Sequence, residues 1–288
     1  MDSSSESVVS SLGSFAEMLS DPEGYDPERL KSLSFGVPSL LSSFIEAMLS
    51  SDEDVMKERL RDLEDYATQV NSTQAWFNLG RLAHRLFFHQ AAIEYYRNAS
   101  DLAEIQGDDS LARILLCQGN LYGEEEDWPR ACQCYEKALT AMDAIKRPLL
   151  LPTVLDSLGR AHRQQGDYHQ ARMCYARILE ILDSKDREGR IEATGNLAEL
   201  CQIQGDMERA EELYQICLKE RERSHDPAGA ASALASLASI YWQTGKGKRA
   251  EISLQSASHM LADLGEHTGA AEMQSRLADI YFQEGRFK

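Results

Sequence analysis

Residues 158–175 read LGRAHRQQGDYHQARMCY, and residues 197–214 repeat the same pattern as LAELCQIQGDMERAEELY. Each stretch has a small residue at its second position, a glycine seven residues later, an alanine five residues after that glycine, and a tyrosine four residues further on. The small residue recurs along the chain at intervals of 39 or 40 residues, as Gly80, Gly119, Gly159, Ala198, Ala238 and Ala278. Such a period indicates an array of repeats rather than one globular core.

Apolar residues on both sides of the central glycine recur at helical spacing. In the fifth unit they are Leu234, Leu237, Ala238 and Tyr241 before the glycine, and Ala250, Leu254, Ala257 and Leu261 after it. Seven prolines in 288 residues are few, and no segment alternates apolar and polar residues for long enough to predict a strand. Each unit is therefore predicted to be a helical hairpin.

The turn of each hairpin is expected to need a residue with left-handed backbone angles, which glycine adopts at little cost. Gly166, Gly205 and Gly245 stand at this position, whereas the first two units have Phe87 and Glu126, so their turns are expected to be less regular. The small residue of the first helix is expected to let the second helix approach closely. The alanine five residues after the turn position is expected to face it across the helix crossing.

Composition narrows the class of function. The 30 Lys and Arg are outnumbered by 47 Asp and Glu, for a net charge of −17, which argues against phosphate-dependent binding of nucleic acid. No stretch approaches the length of apolar sequence that a membrane span requires. The N-terminus lacks the basic start of a signal peptide. We expect a cytoplasmic protein whose six cysteines are reduced.

The pattern L-G-x2-Y, then G, then A-x3-Y resembles the tetratricopeptide repeat (TPR) over residues 73–288. At about 40 residues, rather than the usual ~34, the repeats are similar to the lengthened ones of kinesin light chains and of partner-of-inscuteable-type regulators. This resemblance implies an all-α fold, a right-handed α-solenoid superhelix of TPR-like hairpins. It also implies an adaptor or scaffold that holds a peptide segment of a partner protein in its concave groove.

Three segments are expected along the chain. Residues 1–35 are acidic and serine-rich, which favours partial disorder, although Val8, Leu12 and Phe15 are helically spaced. Residues 36–71 are predicted to be a degenerate helical cap. Residues 72–288 are predicted to be the array of about six repeats, with the last one incomplete.

The family resemblance also implies groove residues, because residues three before, two before, one after and four after the small residue face the concave side of TPR arrays. Applied to this sequence, with the addition of one arginine six residues before the small residue, the rule gives the peptide-groove candidates Phe77, Asn78, Arg81, His84, Arg113, Asn120, Arg160, Arg163, Asn196 and Trp242. The same positions also include Leu116, Asp156, Glu199, Ser239, Asp279 and Phe282. Lengthened family members use asparagine two before the small residue to hold a peptide backbone, which Asn78 and Asn196 match. The alternative for each candidate is that it is a solvated polar residue that binds no ligand.

The arginines among these candidates, with His84, are expected to converge on the concave side of repeats 1 to 3. Since the guanidinium group can hold a carboxylate bidentately, the sequence predicts an acidic ligand or a free C-terminal carboxylate, with apolar side chains reaching Trp242. The run Asp52, Glu53 and Asp54 of the chain itself is a possible occupant of the groove. The alternative is that this run is a solvated helix start.

No enzyme activity, cofactor or metal is predicted. Cys132 and Cys134 lack a second pair at zinc spacing and are interpreted as packing residues. Two other functions stay open. One is self-association through an open C-terminal hairpin at Tyr281 and Phe282, and the other is the sensor arm of a larger signalling enzyme.

Overall fold

A computed structural model of the chain describes residues 3–18, 39–50, 52–145, 150–183 and 185–283. The regular elements in this described part are helices throughout, so the predicted all-α fold is confirmed. The chain divides into two compact units, Met1–Val154 and Leu155–Lys288, here called unit 1 and unit 2. Within each unit, helical hairpins pack side by side in chain order, as in a solenoid.

In the described residues of unit 1, three helices precede the repeats. Its helices are α1 (Ser3–Met18), α2 (Ser39–Ser50), α3 (Glu53–Val70), α4 (Thr73–Arg85), α5 (His89–Gln106), α6 (Leu111–Glu124) and α7 (Trp128–Ile145). Helices α2 and α3 pack against each other, α3 packs on α4, and the first two repeats are the hairpins α4/α5 and α6/α7. Where the sequence suggests a loose start, residues 3–18 form a helix, and the rest of that segment up to residue 35 lies outside the described residues.

Unit 2 contains the remaining repeats. Its helices are α8 (Leu151–Gln164), which begins four residues before the unit boundary, α9 (Tyr168–Ile181), α10 (Arg187–Ile203), α11 (Met207–Arg223), α12 (Pro227–Gln243), α13 (Gly247–Asp263) and α14 (His267–Gln283). Helix α14 packs against α13 as the first helix of a sixth repeat. The prediction that this repeat is incomplete concerns residues 284–288, which lie outside the described residues.

The hairpin turns have the predicted left-handed backbone. Gly166, Gly205 and Gly245 have φ angles of 81°, 82° and 72°. Phe87 and Glu126 occupy the same turn position with φ angles of 60° and 58°. A side chain in this conformation strains the backbone, because its Cβ crowds the following carbonyl oxygen. The first two turns therefore keep the geometry of the others without the residue that adopts it easily.

The second helix of several hairpins begins with an aspartate cap. The carboxylates of Asp127, Asp167 and Asp206 each accept a hydrogen bond from the backbone N–H three residues later, at 3.1, 3.2 and 3.1 Å. These bonds satisfy one of the N–H groups that a helix start leaves without an intrahelical partner. The fifth hairpin has Lys246 at this position, where no side-chain cap forms.

The small residue of the first helix packs against a tyrosine ring of the second. A Cβ added to the glycine of any of the first three repeats would lie 2.5 to 2.7 Å from a ring carbon. The pairs are Gly80 with Tyr96, Gly119 with Tyr135, and Gly159 with Tyr175. The expected counterpart of this glycine, the alanine four residues before the tyrosine, is buried but is not among its nearest side-chain neighbours. The glycine therefore makes room for the ring.

Candidate functional site

The predicted groove residues lie on the first helices of the hairpins. We call the surface formed by these first helices the A-helix face and define it within each unit, as α4 and α6 in unit 1 and as α8, α10, α12 and α14 in unit 2. Unit 1 contributes Phe77, Asn78, Arg81, His84, Arg113 and Asn120, and unit 2 contributes Arg160, Arg163, Asn196 and Trp242.

In unit 1 the A-helix face of α4 is covered by α1. Asn78 is only 2% exposed, and its Nδ2 atom donates a hydrogen bond to the main-chain carbonyl of Val9, at 2.9 Å. The side-chain oxygen of Asn78 accepts a bond from Nε2 of Gln74, at 2.7 Å. A Cβ added to Gly13 would lie 2.8 Å from Nδ2 of Asn78, so the glycine allows α1 to approach this closely.

Two arginines flank the aromatic ring of Phe77 beside α1. The guanidinium groups of Arg81 and Arg113 lie 5.9 and 5.1 Å from the centre of this ring, within the range of cation–π attraction. Nη1 of Arg81 also lies 3.6 Å from Oε1 of Glu17 on α1. Arg113 makes no ion pair with any residue that the structure describes. A cavity of about 430 Å³ separates these arginines from the serines Ser10 and Ser14 of α1.

His84 and Asn120 contact the hydroxyl groups of the tyrosines in their own hairpins. Nδ1 of His84 lies 3.4 Å from the Tyr96 hydroxyl, and the Tyr135 hydroxyl donates to the side-chain oxygen of Asn120 at 2.8 Å. Nε2 of His84 lies 2.8 Å from a carboxylate oxygen of Glu124 in the next repeat. These two groove candidates therefore join helices within and between hairpins.

In unit 2 the A-helix face carries a cluster of alternating charge, which we call the unit-2 cluster. Nδ2 of Asn196 donates to Oδ1 of Asp156 at 2.8 Å, and Arg163 donates to Glu199. Arg160 is exposed and has no ion pair among the described residues. Burial raises the pKa of the Asp156 carboxyl, although both arginines and the hydrogen bond from Asn196 act in the opposite direction.

The hydroxyl group of Tyr175 is buried beside this cluster without a hydrogen-bond partner. Burial raises the pKa of this hydroxyl, and the nearby carboxylate of Asp156 raises it further. Tyr96 and Tyr135 stand at the same repeat position and have partners for their hydroxyls. Because the ring and its hydroxyl are fully buried, the unpaired hydroxyl is a free-energy cost of the packing of this hairpin.

Unit 2 has a cavity beside Trp242. It has a volume of about 210 Å³, and its walls come from α12, α13 and α14. The lining includes Ser239, Trp242, Arg276, Asp279 and Ile280. The tryptophan supplies an apolar wall, while Arg276 and Asp279 supply one charge of each sign.

No helix in the described part of the chain combines the length and the low polarity that crossing a membrane requires. Nor do the described residues bring three His, Cys, Asp or Glu side chains together in a way that could hold a metal ion.

Comparison with known proteins identifies the repeat. Residues 71–144, 110–184 and 189–262 each match the sequence family described as "Tetratricopeptide repeat". This chain belongs to the tetratricopeptide repeat family. The matched segments together span well over half of the TPR chain, and they include all ten groove candidates.

Solved structures show the same fold in other proteins. The apo form of RapI has a TM-score of 0.69 and 13% identity, and the match covers 92% of this TPR chain and 79% of RapI. YrrB, described as a TPR protein with an unusual peptide-binding site, has a TM-score of 0.50, 20% identity, and coverage of 74% and 97%. TPR-like repeats of a putative kinesin light chain from Podosopora anserina have a TM-score of 0.56, 16% identity, and coverage of 66% and 95%. At these identities the likeness concerns the fold alone.

The partners with which the groove residues pair were not predicted from sequence. The pairs in the TPR array join positions about one repeat apart: His84 with Glu124 and Asp156 with Asn196 are 40 residues apart, and Arg163 with Glu199 is 36 apart. Searching for opposite charges or hydrogen-bonding groups at the repeat interval would have found them. Nothing periodic indicates Val9 or Glu17, because α1 is not a repeat.

The suggested occupancy of the groove by Asp52, Glu53 and Asp54 is wrong. These three residues are exposed at the start of α3. Oδ1 of Asp52 caps that helix by accepting bonds from the N–H groups of Asp54 and Val55, at 3.1 and 3.2 Å. Negative charge is favourable at a helix N-terminus, so the alternative of a solvated helix start describes this run.

Proposed function

We propose that this TPR chain is a protein-interaction adaptor whose A-helix face holds a segment of a partner protein. The observation that carries the proposal is the hydrogen bond from Asn78 to the main-chain carbonyl of Val9. A main-chain carbonyl is common to every peptide segment, so this contact is one that the face can make to another chain. Within unit 1 the segment held in this way belongs to the protein itself.

The unit-2 cluster favours a segment with an acidic side chain or a free carboxylate. Arg160 offers an exposed guanidinium group without an ion pair among the described residues. A carboxylate can accept two hydrogen bonds from such a group. Asp156 and Glu199 oppose a densely acidic ligand, because like charges repel. One or two carboxylates therefore fit the cluster better than a long acidic run.

The cavity beside Trp242 favours an apolar side chain on the partner segment. At about 210 Å³ it has room for one large side chain, and the tryptophan provides the broad apolar contact typical of binding hot spots. YrrB, which shares the fold, is described as having a peptide-binding site, and this is consistent with the proposed role. A cytoplasmic location is part of the proposal and stays a prediction from sequence.

A peptide library displayed on phage tests the proposal with the full chain as bait. We expect the selected peptides to combine apolar residues with one or two Asp or Glu. Their affinity, measured by fluorescence anisotropy, should fall as salt rises from about 50 to about 500 mM, because partly exposed charge pairs are screened. Arg160→Glu should weaken binding about ten-fold or more, since it replaces an attraction by a repulsion.

Arg177→Glu is the matched control, because it makes the same charge change at an exposed position on α9, the second helix of the same hairpin. Binding to this variant should stay within about two-fold of wild type. The proposal fails if no peptide is selected, or if selected peptides lose affinity equally with both variants.

A further inference from the structure

Helix α1 occupies the A-helix face of α4 as a ligand would. Its apolar residues Val9, Leu12, Phe15 and Ala16 are buried in the core of unit 1. The ring of Phe15 packs edge-on against that of Phe44 on α2, with centroids 6.5 Å apart. The hydrogen bond from Asn78 and the ion pair of Arg81 with Glu17 then add polar contacts along the same side.

This helix is poorly suited to form without the surface beneath it. Seven of its 16 residues are serines, and Gly13 lies in its interior. Serine and glycine both have lower helix propensity than alanine, with glycine about 1 kcal/mol less favourable. In proteins, most of the stability of a helix comes from tertiary packing of its apolar face rather than from propensity. The order of α1 therefore depends on its contacts with α2 and α4.

Helix α1 also fills its site incompletely. The cavity of about 430 Å³ remains between the two helices, with Ser10, Gly13 and Ser14 on the α1 side. Phe77 and Arg113 form part of the opposite wall. Small polar residues thus face an aromatic ring and a guanidinium group that has no ion pair among the described residues. A helix with larger side chains at the two serine positions would bury more surface there.

We propose that α1 is the chain's own placeholder for an amphipathic helix of a partner protein, and that this partner helix displaces α1 from α4. The proposal rests on the proposed function and names the partner class for unit 1. The partner helix has a small residue where α1 has Gly13, because Asn78 leaves no room for a side chain. It has apolar residues at the places of Val9 and Leu12.

The charges of the site specify the rest of the partner helix. Arg81 already pairs with Glu17, four residues after the glycine, so a carboxylate is expected at that position. Arg113 and Ser14 line the same cavity, so a second carboxylate at the place of this serine would have a guanidinium group to pair with that α1 does not use. The partner is therefore an acidic amphipathic helix, which the net positive charge of this wall attracts.

A competition experiment on the full chain tests this inference. The probe is a fluorescent peptide of residues 3–18, and its binding is measured by anisotropy. In wild type the chain's own α1 competes for the site, which reduces the apparent affinity. In a Gly13→Leu chain the added side chain meets Asn78, so α1 is expected to leave, and the wild-type peptide should bind about ten-fold or more tightly than to wild type.

Control variants distinguish displacement of α1 from damage to the fold of the chain. Ser7→Leu changes an exposed residue of α1 and should leave the weak binding of wild type unchanged. A peptide that itself carries Gly13→Leu should bind neither chain. A peptide with Ser14→Glu should bind the Gly13→Leu chain about three-fold more tightly at low salt, and this gain should vanish with Arg113→Gln. Hydrogen exchange of the α1 amides reports whether α1 has left the site.

Three results would overturn the inference. The first is a Gly13→Leu chain whose α1 amides exchange freely but which does not bind the peptide. The second is unfolding of α4 together with α1, which would make α1 a core element rather than a placeholder. The third is a wild-type dimer that the peptide dissociates, which would show exchange of α1 between two copies. If unit-2 peptides are still selected in any of these cases, the proposed function stands and only this inference fails.

Discussion

The ring of Tyr175 lies so close to Gly159 that a Cβ added to the glycine would stand 2.7 Å from a ring carbon. The two residues are 16 positions apart, on the first and second helices of one hairpin. Protein side chains do not approach a Cβ this closely, so an alanine at this position would have to move a fully buried ring. The repeated glycine of this array is thus explained by packing rather than by backbone angles.

The first prediction follows from this contact. Gly159→Ala should lower the free energy of unfolding of the repeat region by about 1–3 kcal/mol through overpacking. Gly195→Ala is the matched control, because Gly195 also lies inside a helix of unit 2 but an added Cβ there meets nothing. This control should raise stability by up to about 1 kcal/mol, as alanine is the better helix former. Urea denaturation measures both, and equal effects would contradict the packing explanation.

The second prediction concerns the strained turn at Phe87. Its φ angle is 60° and its side chain is 82% exposed, so replacement removes strain and little packing. Phe87→Gly should therefore raise the free energy of unfolding by about 1 kcal/mol. Gly166→Ala, the reverse change at the same turn position, should lower it by about the same amount. Thermal denaturation compares the two variants, and a destabilised Phe87→Gly would show that the aromatic ring has a structural role.

The third prediction is a pH dependence at Asp156. Burial holds the pKa of this carboxyl above its ordinary value of 3.8. A group whose pKa is raised on folding contributes stability at low pH that is lost as the pH rises through the folded pKa. Asp156→Asn keeps an acceptor for Asn196 but does not ionise. The stability of the variant relative to wild type should therefore increase as the pH rises from below 3.8 towards neutrality, and a flat difference in urea titrations would contradict this.

The fourth prediction concerns the aspartate caps. Asp206→Ala removes the side-chain acceptor for the N–H of Arg209 and should lower the free energy of unfolding by about 1 kcal/mol. Lys246→Ala at the equivalent position of the next hairpin removes no cap, but it removes an ion pair with Glu211 and a cation–π contact with Tyr241, and should cost under about 1 kcal/mol. Chemical denaturation measures the free energy of unfolding of both variants. A larger decrease with Lys246→Ala than with Asp206→Ala would contradict the stabilising role of the aspartate cap.

Periodicity made most of the fold predictable. The interval of 39 or 40 residues located the hairpins, and the small residue, turn position and tyrosine kept their places within each repeat. The turn positions of Phe87 and Glu126 were located from sequence, but the expectation that these turns are less regular was wrong, because both residues adopt left-handed angles like those of the glycines. Local geometry repeats when local sequence repeats, so alignment of the chain with itself was sufficient.

The occupant of the A-helix face was not predictable in the same way. Helical spacing of Leu12 and Phe15 indicates a helix but does not say which surface it covers. The contact between Val9 and Asn78 spans 69 residues and has no counterpart in another repeat. The run of acidic residues at Asp52 suggested an occupant because of its charge, whereas the serine-rich sequence of α1 has no such signal. Shape and apolar burial, rather than charge, decide what lies on α4.

The span of the α1 contact also sets an order of events during synthesis. The hairpins join residues close in sequence, so each can form soon after its second helix leaves the ribosome. Helix α1 emerges first, yet the part of its surface that α4 provides is missing until residues 73–85 have followed it. The growing N-terminus is therefore expected to stay open to proteases and chaperones through the synthesis of α2 and α3. Limited proteolysis of nascent chains arrested before and after α4 would show protection of α1 only in the longer ones.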